Sequence, residues 1–83
     1  MMPKKLVLDL KDHLPEHGLL VSTVFSPEDR LAETMVFRAD ARGFILDAAY
    51  PLYEERYPLD SRPEDLEAAH RRIVERARSG EWG

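Results

Sequence analysis

The sequence predicts an α+β domain, with an antiparallel meander of three or four strands and one long C-terminal helix packed on one face. Three observations lead to this prediction. Short apolar runs, some of them alternating with polar residues, fill the first half of the chain, and this pattern is typical of strands. A compact turn joins two of the runs. The last third of the chain instead repeats apolar residues at spacings of three and four, which indicates a helix.

The first two strands are predicted from their apolar faces. Lys5 to Leu10 alternates and has leucines on one side, whereas Leu19 to Phe25 is apolar on both sides. Residues 11–18 between them are mostly polar and contain Pro15, so a connector is predicted there. A strand that is apolar on both faces is normally covered on both.

A hairpin is predicted to follow. Glu33 to Arg38 is rich in Thr, Val and Phe, which suit a pleated surface, and Phe44 to Leu46 is the predicted return strand. Between them, Asp40 to Gly43 has an acidic acceptor at the first turn position and glycine at the fourth. The short connections favour an antiparallel meander.

The segment from Tyr50 to Pro58 is predicted to contain one helical turn. Pro51 can open such a turn, and Pro58 would end it. The three tyrosines are spaced by three and four residues, so a helical conformation would place them on a shared face.

A helix is predicted over Ser61 to Ser79. Ser61 and Glu64 have capping-box spacing, Pro63 falls in the first turn, and Gly80 is suited to end the helix. The predicted inward face is Leu66, Ala69, His70, Ile73 and Ala77.

Length and composition restrict the functional class. The 83 residues form one domain, 1–83, with 12 basic and 16 acidic residues and a net charge of −4, a balance that argues against general nucleic-acid binding. The absence of cysteine excludes disulfides and thiolate metal sites. No apolar run is long enough for a membrane span or a signal peptide, so a cytoplasmic location without membrane contact is expected.

The amino-acid usage also predicts a thermophilic source. The chain has no Asn, Gln or Cys, and arginines outnumber lysines nine to three. Loss of thermolabile residues together with abundant charge is the pattern expected at high temperature. This expectation concerns the organism and not the activity.

One stretch resembles a group of known proteins. The run Glu33-Thr34-Met35-Val36-Phe37, followed by Arg56-Tyr57 and by a helix that contains His70, resembles small uncharacterised proteins of bacteria and their phages. The resemblance covers residues 31–74. It implies kinship, with no activity attached.

A looser similarity is to antitoxin domains of the HicB type, in which a small antiparallel sheet precedes a helix. Gly43-Phe44-Ile45 and the segment from Pro63 to Ala68 match that plan. The segment from Tyr50 to Glu55 departs from it, since those domains have a Pro-Asp-Leu-Pro-Gly-like sequence there. The similarity implies an antitoxin-like or nucleic-acid-binding regulator as a minor alternative.

A metal site is considered and set aside. His13-Leu14-Pro15-Glu16-His17 matches the H-x-x-E-H string of one class of zinc protease. In those enzymes both histidines project from one helix, and Pro15 would break that helix. The sequence therefore predicts a polar loop, no metal and no cofactor.

His70 has two readings. It lies on the predicted inward face of the helix, where a histidine is usually a hydrogen-bonded core residue. The alternative is a small ligand-binding or acid–base site, because histidine titrates near neutral pH. Its candidate members are His70, Arg56, Tyr57, Glu33 and Asp47. No catalytic residue can be assigned, and the sequence favours a non-enzymatic role.

The helix also carries four arginines in its second half. They could contact phosphates. The spacing of Glu67, Arg71 and Glu75 favours a self-paired, solvated face instead.

The leading functional prediction is a small interaction or accessory module that acts as a homodimer. One helix covers only one face of the sheet, and a second copy could cover the other. A further, unidentified protein partner is also possible. The residues predicted at the interface are Val21, Val36, Ile45 and Tyr53.

Overall fold

The computed structural model describes residues 7–83 and shows the predicted α+β meander. The elements, in chain order, are β1 (Leu8–Leu14), β2 (Leu19–Ser26), β3 (Leu31–Arg38), β4 (Tyr53–Arg56) and α1 (Pro63–Arg78). The strands lie in the order β1-β2-β3-β4, and each neighbouring pair is antiparallel. The fold class and the single C-terminal helix are therefore confirmed.

The first strand is longer than predicted and begins later. Of the predicted strand, residues 5 and 6 lie outside the described residues, and β1 continues to Leu14 through part of the predicted connector. Leu14 is buried opposite Leu19, so it closes the hairpin ladder. Asp12 interrupts the apolar alternation of this strand, so the strand pattern in the sequence ends at Leu10.

Two short 3-10 turns join the first three strands and have the same geometry. The turn Pro15–His17 ends at Gly18, with φ 66° and ψ 36°, and the turn Pro27–Asp29 ends at Arg30, with φ 59° and ψ 38°. In each turn the backbone N–H of the last residue donates to the proline carbonyl three residues earlier. Positive φ suits glycine, and among residues 7–83 Arg30 is the non-glycine residue that adopts it.

The predicted turn after β3 forms, but its predicted return strand does not. Gly43 N–H donates to the Asp40 carbonyl at 3.0 Å, and Gly43 has φ 94°. Phe44 to Leu46 then makes one isolated bridge, between Ile45 and Ala39, and leaves the sheet. The prediction of a strand over these three residues is wrong, and the strand that pairs with β3 is β4, opposite residues 33–36.

The strand β4 lies where one helical turn was predicted. Tyr53–Arg56 pairs with Glu33–Val36 of β3, and Leu52 N–H donates to the Val36 carbonyl at 2.7 Å. The prediction of a shared tyrosine face is wrong for Tyr50, which is exposed. A strand over this segment pairs its backbone groups with the free edge of β3, which one helical turn could not do. In a strand, residues two apart share a face.

The helix agrees with the prediction except at its first residues. It begins at Pro63, and Gly80, with φ 93°, follows its end. The cap is Arg62, whose N–H donates to the Asp65 carboxylate at 3.4 Å, so the predicted pairing of Ser61 with Glu64 is wrong by one residue. The buried face is Leu66, Ala69, His70, Ile73, Val74 and Ala77.

The core lies between α1 and one face of the sheet. Its centre joins residues of β1, β2 and β3 to the last turns of α1. Val21 and Val36 belong to this centre and have no exposed surface, so their predicted place at a dimer interface is wrong. On the opposite, helix-free face, Leu20 and Phe37 face each other and are also buried, as expected for strands that are apolar on both sides.

The C-terminal tail packs on the helix side of the sheet. The rings of Trp82 and Tyr53 have centroids 5.2 Å apart, and the Arg76 guanidinium lies 4.8 Å from the centroid of Tyr53 and 5.0 Å from that of Trp82. Arg76 also pairs with Glu81. The tail therefore extends the core without covering the helix-free face.

Candidate functional site

A chain of polar side chains runs through the interface between the sheet and the helix. We call Asp12, His70, Thr23, Thr34 and Tyr57 the buried polar chain. His70 Nε2 lies 2.7 Å from Asp12 Oδ2, and His70 Nδ1 lies 2.6 Å from Thr23 Oγ1. Thr23 Oγ1 lies 2.6 Å from Thr34 Oγ1, which accepts a hydrogen bond from Tyr57 at 2.8 Å.

Strand alternation brings this chain together. Thr23 and Thr34 are directly opposite each other in β2 and β3, and both face the helix. Asp12 faces the same side from β1, and Tyr57 continues the ladder beyond β4 through a hydrogen bond from its N–H to the Ala32 carbonyl. His70 reaches down from α1 between them. Residues of five separate segments thus meet at one line across the core.

One assignment of donors and acceptors accounts for every hydrogen bond in the buried polar chain. With neutral His70 donating from Nε2 to Asp12, its Nδ1 accepts from Thr23. Thr23 then accepts from Thr34, and Thr34 accepts from Tyr57. Every hydroxyl in the chain donates once, and no buried side-chain polar atom among residues 7–83 is left without a partner. This satisfaction is what a stable buried polar network requires.

The arrangement does not support nucleophilic catalysis. An acid, a histidine and a hydroxyl in this order are the parts of a catalytic triad. However, the hydroxyl must reach a substrate, and Thr23 is 0% exposed, while the acid, Asp12, is the accessible end. His70 is itself 4% exposed and hydrogen-bonded on both ring nitrogens. The prediction that His70 is a hydrogen-bonded core residue is confirmed.

Glu33 and Arg56 lie together, whereas the remaining predicted site residue, Asp47, lies apart from them. Glu33 and Arg56 face each other across β3 and β4 on the helix-free side, with 3.7 Å between Glu33 Oε1 and Arg56 Nε. Arg56 is held more closely by Glu54, at 2.7 Å. Asp47 lies exposed in the connection before β4, and its side chain pairs neither with the buried polar chain nor with Glu33 and Arg56. The structure therefore links His70 to Tyr57 but does not assemble all five residues.

Two surface clefts flank the buried polar chain. The larger, of 320 Å³, lies at the end of β3 and β4, and Arg30, Glu33, Arg56 and Tyr57 contribute to its walls. The smaller, of 220 Å³, lies between β1 and α1 above the Asp12–His70 pair. Neither Arg30 nor Asp12 is among the site residues that the sequence pattern predicted.

Charged side chains next to the buried polar chain form pairs between the sheet and the helix. Burial raises the pKa of Glu55, but hydrogen bonds from Arg72 and Tyr53 outweigh it and leave that pKa below its ordinary value. The Arg72 guanidinium lies 2.5 Å from Glu55, and this hydrogen bond raises the pKa of Arg72. Burial raises the pKa of the Tyr57 hydroxyl to about 12, and the carboxylate of Glu55 adds to that rise.

The raised pKa of Tyr57 predicts a loss of stability in alkali. Between pH 10, where an unfolded tyrosine ionises, and about pH 12, only the unfolded chain releases this proton, so the free energy of unfolding falls as the pH rises. We expect one of the three phenols to titrate late in absorbance measurements, and Tyr57→Phe to remove that late transition. Tyr50→Phe, at an exposed position, is the control and should leave it in place. Three phenols that all titrate near pH 10 would contradict the prediction.

The two histidines of the H-x-x-E-H string point to different parts of the chain. His13 lies in β1, with Nε2 3.0 Å from the Asp40 carbonyl, and His17 Nδ1 lies 3.3 Å from the Gly83 carbonyl. Pro15 opens a 3-10 turn between them. The predicted polar loop is therefore confined to residues 15–17. Residues 7–83 contain no cluster of three or more potential metal ligands.

The helix arginines are mostly paired, although with other partners than predicted. Arg72 pairs with Glu55, Arg76 with Glu81 and Arg78 with Glu75. The predicted pairs of Arg71 with Glu67 and Glu75 do not form among the described residues. A face whose charges are already matched offers little to a phosphate backbone.

Comparison of the chain with protein-family models, curated proteins and solved structures finds no match. Within the part of the chain that the structure describes, no helix is both long and apolar enough to cross a membrane.

Proposed function

We propose that the protein is an interaction module that forms a homodimer, and that Phe44 to Leu46 is the segment through which two copies pair. The observation that carries this proposal is an open backbone edge at Ile45. The segment was predicted as a strand, and it would become one by pairing with the same segment of a second copy.

The hydrogen bonds around Ile45 define this edge. Asp40 N–H donates to the Phe44 carbonyl, and Leu46 N–H donates to the Arg38 carbonyl, both at 2.9 Å. This pattern places Ala39 and Ile45 in a pair that is not directly hydrogen-bonded, so the N–H and C=O of Ile45 point away from Ala39. No described residue hydrogen-bonds to them. Unpaired edge groups of this kind are templates for strand addition.

A two-fold axis at Ile45 would satisfy both groups at once. The Ile45 residues of two antiparallel copies would exchange two N–H···O=C bonds, as a hydrogen-bonded pair does in a sheet. Phe44 of each copy would then lie opposite Leu46 of the other. A two-fold interface uses one patch twice, so a single self-complementary segment is sufficient.

The side chains of this segment favour the same occupant. Phe44 is 64% exposed, Leu46 63% and Tyr50 76%. These apolar surfaces are exposed together in one connection, and pairing would remove them from water at about 25 cal/mol per Å² buried. Antiparallel pairing also brings Arg42 at one end of the segment next to Asp47 at the other, which suits a second copy in particular.

Light scattering behind a sizing column tests the proposal. We expect wild-type protein at tens of micromolar to elute with twice the 9.6 kDa chain mass. Ile45→Pro removes the N–H that the pairing needs without touching the bonds to residues 38 and 40, so it should be monomeric and folded. A monomeric wild type would contradict the proposal.

Ala41→Pro is the matched control. It introduces proline into the same connection, at the second position of the Asp40 turn, where proline is favoured. Its N–H takes part in no hydrogen bond among the described residues. We expect Ala41→Pro to remain a dimer. Loss of the dimer in both variants would show that loop conformation, and not the Ile45 edge, controls assembly.

A further inference from the structure

We propose that the larger cleft binds a small amphiphilic anion, a carboxylate or phosphate attached to an apolar body, and that Arg30 is its anchoring residue. The cleft has a volume of 320 Å³ and lies at the end of β3 and β4. This inference is independent of the proposed dimer, because the cleft does not include the segment from Phe44 to Leu46.

The backbone of Arg30 adopts a conformation that is unusual for its residue type. The two 3-10 turns end in the same left-handed conformation, and the equivalent residue of the first turn is Gly18. Glycine adopts this conformation without steric cost, whereas an arginine must be held in it. Glycine would fit the shape of the second turn at lower steric cost than arginine. An unfavourable conformation retained beside a cleft points to use of the side chain.

Two arginines, Arg30 and Arg56, bring positive charge to the cleft. Arg56 also lines it, but its guanidinium is already paired with Glu54 and lies near Glu33. No carboxylate among residues 7–83 pairs with Arg30. The planar guanidinium of Arg30 is therefore the group left to hold an anion, and its geometry suits a carboxylate or a phosphate.

An apolar wall lies beside that charge. Leu31 and Leu59 line the cleft, and both remain more than a third exposed. Together with Ala32 they offer a surface for an aliphatic or aromatic body. Ligand sites typically combine such a surface with a few polar groups that fix orientation. Glu33, at the same cleft, would disfavour ligands with a second negative charge at that end.

Titration of ¹⁵N-labelled protein followed by NMR tests the site. The probes are hexyl phosphate, hexanoate, inorganic phosphate and hexanol. We expect the better of the two amphiphilic anions to bind at least tenfold more tightly than inorganic phosphate and hexanol, with amide shifts at Leu31 and Leu59. The order of hexyl phosphate and hexanoate identifies the head group. Equal affinity for all four probes, or shifts elsewhere only, would overturn the proposal.

Two variants separate the site from general charge. Arg30→Gly should weaken binding at least tenfold while melting no lower than the wild type, because glycine suits the turn. Arg71→Ala removes another arginine without a described carboxylate partner and should change binding less than twofold. Equal losses in the two variants would mean non-specific attraction and overturn the proposal.

Arg30→Lys tests the role of the guanidinium even if Arg30→Gly folds poorly. Lysine preserves the charge and the non-glycine backbone but not the planar fork, so we expect weaker binding than in the wild type. Unchanged affinity in Arg30→Lys and Arg30→Ala together would exclude Arg30 as the anchor.

Discussion

Replacing His70 with alanine is expected to lower the free energy of unfolding by about 3 kcal/mol, because the change breaks the buried polar chain at its centre. His70 satisfies the fully buried Thr23 hydroxyl and holds Asp12 over the helix–sheet interface. Without the imidazole, the Thr23 hydroxyl has no acceptor for its proton, and the volume of the ring becomes a cavity. In a domain of this size, the melting temperature should fall by roughly 10–20 °C.

Asp12→Asn is the matched control for His70→Ala. The Asp12 side chain is about half exposed, and an amide oxygen can still accept from His70 Nε2. We therefore expect Asp12→Asn to lower the free energy of unfolding by less than about 1 kcal/mol. Thermal melts at one fixed protein concentration measure the difference. An unchanged melting temperature for His70→Ala would contradict the role of the buried polar chain in stability.

Replacing Ile73 with alanine is expected to lower the free energy of unfolding by about 2–5 kcal/mol, which is comparable to or larger than the effect at His70. Ile73 has no exposed surface, and it packs in the cluster where α1 meets β1, β2 and β3. That cluster contains residues of both the helix and the sheet. A cavity there would therefore weaken the one interface that joins the two layers of this small domain.

Ile73→Val provides a graded comparison, since it removes one methyl group and should cost about 0.5–1.5 kcal/mol. Urea denaturation of both variants measures the difference, and a constant slope with denaturant would show that the unfolding transition itself is unchanged. Equal losses for Val and Ala would show that the site collapses around the missing atoms. That result would contradict the expectation that Ile73→Ala leaves a cavity between α1 and the sheet.

The sequence alone determined the fold class and the order of most elements. The helix was predictable because its apolar spacing, first-turn proline and terminal glycine are local signals that agree. The strand β2 was predictable for a related reason, since both of its faces are apolar. The burial of His70 followed from its place on the inward face of the helix.

The tertiary structure decided which segment became the fourth strand. Phe44 to Leu46 has strand-like composition, and Tyr53–Arg56 has three charged residues, yet only the latter forms a strand ladder with β3. Pairing depends on which segment can reach the edge of β3 in register, and local composition does not contain that information. The same limit explains why Val21 and Val36 were assigned to an interface although they lie in the core.

The candidate sites were decided by tertiary structure as well. The buried polar chain joins five segments whose members are up to 58 residues apart, as Asp12 and His70 are. Thr23 and Thr34 interrupt apolar strand faces, but no local pattern shows that they meet a histidine. Arg30 is marked by a backbone angle that only the structure reveals, because proline-initiated turns of the same shape end in Gly18 in one case and in Arg30 in the other. Local propensity therefore determined the elements, whereas register and the packing of α1 on the sheet determined which side chains share a site.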